Sequence, residues 1–138
     1  MAVLKFVSVV SPPSPVLTPE MINAGLRAFF RIADQWGISN DQAMILLGGP
    51  AKSTFFKWKK GEAKGVAGAR DLATRISHVL GIFKALENIY QRPEHADRWV
   101  AQPNLALGGQ SALQRMLAGQ ITDLAVIREY LDSVRGGK

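Results

Sequence analysis

Five lysines lie close together at Lys52, Lys57, Lys59, Lys60 and Lys64, set against a single acid, Glu62. This is a local charge of +4 in 13 residues, and its chemistry is the neutralisation of phosphates, where cation density matters and base identity does not. Ser53 and Thr54 sit just ahead of the lysine-rich turn, and their hydroxyls can donate to or accept from base edges. Phe55 and Trp58 are three apart, which on a helix puts both on one face, suited to holding the segment to a core. Little other reactive chemistry is present. The chain has no cysteine, which excludes disulfides, thiolate metal sites and cysteine nucleophiles. It has two histidines, His78 and His95, each read as a surface residue. An enzyme would need a convergent set of acids, bases or ligands, and these residues offer none, so no catalytic site, metal or cofactor is expected.

The charge is uneven over the whole chain as well. Lys and Arg number 17 against 11 acids among 138 residues, a formal net charge of +6. Residues 1–68 hold eight basic and four acidic side chains, and residues 69–138 hold nine and seven. A polyanionic partner is the expectation, nucleic acid first. Hydrophobic residues make up 47% and charged residues 20%, ordinary values for a globular chain. No apolar run approaches the roughly 20 residues that span a bilayer. Residues 1–10 are apolar apart from Lys5 and Ser8 but lack the charged start and small-residue cleavage site of an export signal. They read as a short strand or an arm that packs on a partner, followed by the Pro-rich linker Ser11-Pro12-Pro13-Ser14-Pro15. The expected location is the cytoplasm.

Helices must position the basic segment. Thr18-Pro19-Glu20 is a helix start: a hydroxyl cap, proline at the first turn, then an acid at the positive end of the dipole. Ile22, Leu26, Phe29, Phe30, Ala33 and Trp36 follow at helical spacing and Gly37 stops them. Ser39 and Gln42 form a capping box for a short helix, which ends at Gly48-Gly49-Pro50. A third helix spans about 51–60, closed by Gly61. A long helix over about 69–90 carries Leu72, Ile76, Val79, Phe83, Leu86 and Tyr90 in alternating steps of four and three. Gly81 within it points to a close approach of a neighbour. A short helix begins at Pro93, and Ser111 with Gln114 makes a second capping box for a helix ended by Gly119. Thr122 is the expected cap of a last helix whose buried stripe is Leu124, Ile127, Leu131 and Val134. No strand pattern follows residue 17. The fold is predicted to be all-α, with an arm and linker over 1–17, a helix-turn-helix over 18–64, and a small helical domain built on the long helix over 65–138.

Two short helices joined by a glycine turn, the second basic, match the helix-turn-helix pattern. The second helix would present Lys52, Ser53 and Thr54 to base edges and place Lys57, Lys59 and Lys60 on phosphates. Phe56 beside Phe55 counts for a partner, being hard to solvate. The long seam offers more apolar surface than the small helices after it could cover, so Leu72, Ile76, Val79 and Phe83 are expected to form a dimer interface.

The segment RWVAQPNLALGGQSALQRMLAGQ, followed by REYLDSVRGGK, resembles the C-terminal toxin-binding domain of the Xre/MbcA/ParS antitoxins. The residues that carry the likeness are Trp99, Pro103-Asn104, Gly108-Gly109, Ser111, Gly119, Tyr130-Leu131 and Arg135-Gly136-Gly137. Upstream, Ser53-Thr54-Phe55-Phe56-Lys57-Trp58 and Gly61 are similar to the Xre-like helix-turn-helix that many members carry. Ala112 stands where members often have proline after the capping serine, and the turn before the third helix is one residue longer. The resemblance implies an antitoxin of a type II toxin–antitoxin module that binds operator DNA as a homodimer and neutralises a RES-domain toxin. Such toxins resemble ADP-ribosyltransferases and consume or transfer from NAD. It also implies a toxin-binding role for Trp99, Asn104, Tyr130, Leu131, Arg135, Gly136 and Gly137. The alternative is a stand-alone transcriptional regulator whose C-terminal helices dimerise.

Overall fold

A computed structural model describes residues 17–66 and 68–136, and most of these are helical. The arm and the Pro-rich stretch over 1–16, together with Gly137 and Lys138 of the tail, lie outside the described residues. The elements run α1 (Pro19–Trp36), α2 (Asn40–Leu46), α3 (Lys52–Lys59), α4 (Ala69–Ile89), α5 (Pro93–Trp99), a 3-10 turn (Leu105–Leu107), α6 (Ala112–Met116) and α7 (Ile121–Gly136). Among the described residues there is no strand, and the one isolated bridge pairs Pro103 with Ser111. The all-α expectation holds.

The helix starts follow from local chemistry. The Thr18 hydroxyl accepts from the Met21 backbone N–H at 3.2 Å. Gly37, at φ 69°, returns its N–H to the carbonyls of Ala33 and Asp34, closing α1 in the left-handed conformation that glycine adopts without strain. Both capping boxes form: Ser39 with Gln42 at 2.9 and 3.1 Å, and Ser111 with Gln114 at 2.8 and 3.0 Å. The last helix starts differently from the expectation. Thr122 is exposed inside the first turn, and the side chain that reaches back is Asp123, whose Oδ2 accepts from the Gln120 backbone N–H at 3.0 Å.

One core runs through the molecule, with α4 as its spine. α4 packs most extensively on α7 and next on α1, and it also meets α5. This arrangement corrects the expected dimer interface. Leu72, Ile76 and Val79 are buried within this chain, with Val79 1% exposed, because α1 and α7 lie along the seam from two sides. Phe83 is half-buried against the same core. A subunit contact through Leu72, Ile76 or Val79 would require opening the core. Val134 departs from its expectation in the other direction, at 50% exposed, one turn beyond the last buried residue of α7, Leu131. Ile32 is buried in α1, where Phe30 had been expected; Phe30 is half-buried.

Two close approaches explain glycines in this frame. Gly81 leaves room for the Arg128 guanidinium, which would lie 2.5 Å from a Cβ at that position; Arg128 crosses it to donate to the Ser77 carbonyl at 3.3 Å. Gly48, at φ 99°, leaves the Arg75 Nε 3.1 Å from where a Cβ would stand. Arg75 is buried and donates to Asp71 Oδ2 at 2.9 Å and to the Leu46 carbonyl at 3.4 Å. It fastens the end of α2 to α4 and so fixes the turn that launches α3.

Candidate functional site

The first surface is α3. Phe55 (0% exposed) and Trp58 (7%) turn into the core, and an aromatic chain continues inward through edge-to-face contacts of Phe55 with Phe30 and of Phe30 with Phe29, at 5.5 and 5.3 Å. With those two anchors set, helical geometry puts Ser53, Lys57 and Lys60 on the opposite, outward face. Lys52, Ser53, Lys57, Lys59 and Lys60 are exposed and Thr54 is half-buried. Lys59 is engaged elsewhere: its Nζ donates to Asn40 Oδ1 at 3.0 Å and lies 5.6 Å from the Phe30 ring centroid. Lys64 lines the cleft of about 670 Å³ between α3 and the start of α4, beside Thr54 and Trp58. Phe56 packs edge-on against Phe55 at 5.2 Å and is half-buried. That contact covers part of the ring surface that had been expected to call for a partner.

The second surface gathers at the other end of α4. Trp99 and Tyr130 stack with ring centroids 6.3 Å apart and 9° between planes; both are half-buried. Leu131 is 2% exposed, so it holds α7 to the core and presents nothing to a partner, which corrects its place in the expected binding set. Asn104 is structural as well as half-exposed: its Oδ1 accepts from the Ala106 N–H at 2.9 Å and starts the 3-10 turn. Arg135 pairs with Asp132 at 3.3 Å, each about 44% exposed. Gly136 ends the described helix in open space.

Four features escaped sequence reasoning. Arg115 donates to Asp123 at 2.9 Å, and this guanidinium together with the Gln120 N–H holds the Asp123 carboxyl below the usual carboxylate range. His78, expected at the surface, is half-buried; burial and the nearby Arg128 lower its pKa, against an opposing effect of Glu129. Asp97 is raised by burial and by Glu94 and Glu87. Leu105, which its apolar side chain alone would place in the core, is 95% exposed. Among the described residues, no group of three or more His, Cys, Asp or Glu is placed to hold a metal ion, and no helix is long and apolar enough to cross a membrane.

Comparison with known families decides how these two surfaces belong together. The antitoxin Xre-like helix-turn-helix domain matches residues 17–81, and the antitoxin Xre/MbcA/ParS C-terminal toxin-binding domain matches residues 85–137. The chain belongs to the Xre/MbcA/ParS antitoxin family. The two matches meet within α4, so the spine helix is shared between the helix-turn-helix and toxin-binding parts, whereas the sequence division was drawn at 64/65. Over 124 residues the chain is 48% identical to the uncharacterised protein y4oB of Sinorhizobium fredii (strain NBRC 101917 / NGR234), covering 90% of this chain and 94% of the relative. As a family member with both domains, this chain is an antitoxin of a toxin–antitoxin module.

Proposed function

We propose that this antitoxin neutralises a RES-domain, NAD-consuming toxin by direct binding and represses its own operon as a homodimer on operator DNA. The observation that carries the DNA half is the division of labour on α3. Phe55 and Trp58 are buried, and Ser53, Lys57 and Lys60 face out, which is the orientation a reading helix needs. One eight-residue helix contacts few base pairs, so useful affinity calls for two copies on a two-fold site. The toxin half rests on the family match over residues 85–137 together with the resemblance described above.

Co-expression with the adjoining reading frame tests the whole proposal. The expected outcome is growth rescue, co-purification of the two proteins, and a shifted band on the promoter fragment. A second arm removes residues 135–138. Arg135 can form bidentate hydrogen bonds with carboxylates, and in this reading it leads the tail into the nucleotide cleft of the toxin, leaving its pairing with Asp132. NAD turnover in the purified mixture then rises toward that of free toxin when the tail is deleted. Full inhibition by the truncated chain would place neutralisation on the surface around Trp99 and Asn104 instead.

A further inference from the structure

Leu105 is by far the most exposed large hydrophobic side chain among the described residues, at 95%, against 50% for Met21 and Val134. Exposed leucines are common where the backbone is loose, but this one is held. The Pro103–Ser111 bridge closes the base of its loop. Above it, the Asn104 N–H donates to the Gln110 carbonyl at 3.1 Å, and the Asn104 carbonyl accepts from Gly109 at 2.9 Å and from Leu107 at 3.0 Å. The Asn104 side chain caps the turn from the other side. Leu107, two residues on, packs back against the core, so the turn has one leucine anchored inward and one aimed out. Such a loop has already lost the freedom that a partner would otherwise have to freeze.

The surroundings say what kind of partner fits. Residues 99–114 include no Asp, Glu, Lys or Arg, sixteen consecutive positions in a chain that is 20% charged. Nucleic acid is met by cations on its phosphates, and this loop provides none. Depletion of charge around an apolar centre is instead the composition of a protein–protein interface core. The loop lies within the part of the chain matched by the toxin-binding domain.

We infer that Leu105 is the apolar anchor of the toxin interface, a preformed knob that enters a hydrophobic pocket on the toxin surface. This rests on the toxin-binding reading above, and it adds a residue that the family resemblance did not single out for toxin binding. The full-length chain is tested with the toxin from the adjoining reading frame, by calorimetric or surface-based titration. Leu105→Ala weakens binding at least tenfold, Leu105→Asp at least a hundredfold, and Leu105→Met stays within about threefold of wild type, the pattern expected of a side chain desolvated at an interface centre. Helical signal and melting midpoint stay at wild-type values in all three variants, because the side chain contributes nothing to the core. Met21→Asp, an exposed hydrophobic on α1, is the control and leaves toxin affinity unchanged. Wild-type toxin affinity in Leu105→Asp overturns the anchor while leaving the antitoxin reading intact. A fall in native mass of Leu105→Asp with toxin affinity retained overturns it in favour of a contact between copies of this chain. Absence of toxin binding by the wild-type chain overturns the parent reading and the anchor with it.

Discussion

Asp123 shows how much a single side chain carries here. Its carboxylate closes the first turn of α7 through the Gln120 N–H and ties α6 to α7 through Arg115, so one acid replaces both a hydroxyl cap and an interhelix contact. Its pKa lies below the ordinary value, which makes the ionised form the one the fold favours. The stabilisation is therefore complete above the unfolded value of about 3.9 and is lost as pH falls through the lower folded value. Asp123→Ala is expected to cost about 1 kcal/mol at pH 7, the ordinary cost of losing a helix cap. The difference from wild type should shrink between neutral pH and about pH 2, as read by urea unfolding across that range; a pH-independent difference would show that the charge is not what stabilises the turn. Sequence reasoning chose Thr122 because a hydroxyl before an apolar run is a good cap. An acid three positions after the cap residue reads equally as a solvated first-turn residue unless the partner Arg115 is known to be near. The same blindness hid Arg75, a buried cation on a helix seam, whose acceptor at Leu46 is 29 residues away. Caps signalled by adjacent residues were legible; those completed across the fold were not.

The elements themselves were legible because apolar spacing and punctuation agree along the chain. Helix starts at Thr18, Ser39 and Ser111 all formed as their residue types dictate. Partnership was harder to read. The seam of α4 looked too long for its neighbours because the amphipathic face of α1 was not counted against it, and α1 and α7 together cover it. On α3, the spacing assigned Lys57, Lys59 and Lys60 alike to phosphates, and the structure separates them. Lys57 and Lys60 are exposed on the outward face, while Lys59 leans back onto Asn40 and Phe30. Each phosphate contact contributes about 0.9 to the slope of log affinity against log salt. Replacing Lys57 and Lys60 with alanine should lower that slope by about 1 to 2 per protomer on promoter and unrelated DNA alike. Lys59→Ala should change it by less than half as much, and Ser53→Ala should alter the preferred sequence with the slope kept. A salt slope unchanged by the Lys57 and Lys60 replacements would remove α3 from the DNA interface.

At the scale of the molecule, α4 belongs to both family domains, since the matched segments end at 81 and resume at 85 within the same helix. Its buried residues continue across that junction, with Val79 before it, Ile82 within it, and Ala85 and Leu86 after it. A helix whose core face is continuous cannot melt at one end without exposing apolar surface at the other, so the DNA-reading and toxin-binding parts are expected to unfold as one cooperative unit. Three tryptophans report the two parts without further substitution: Trp36 and Trp58 sit in the helix-turn-helix segment and Trp99 beside α7. With 5-fluorotryptophan incorporated, each gives its own fluorine resonance. All three should lose native intensity at the same urea concentration. Leu86→Ala, which removes a side chain 1% exposed on the toxin-binding side of the junction, should cost about 2 to 5 kcal/mol and move the Trp36 and Trp58 transitions by as much as that of Trp99. If the Trp99 signal alone moved, the two parts would be independent folding units and α4 a linker between them. If they move together, occupancy of the toxin-binding surface stabilises the DNA-reading part by mass action, and the coupling between the two surfaces is the stability of this single helix.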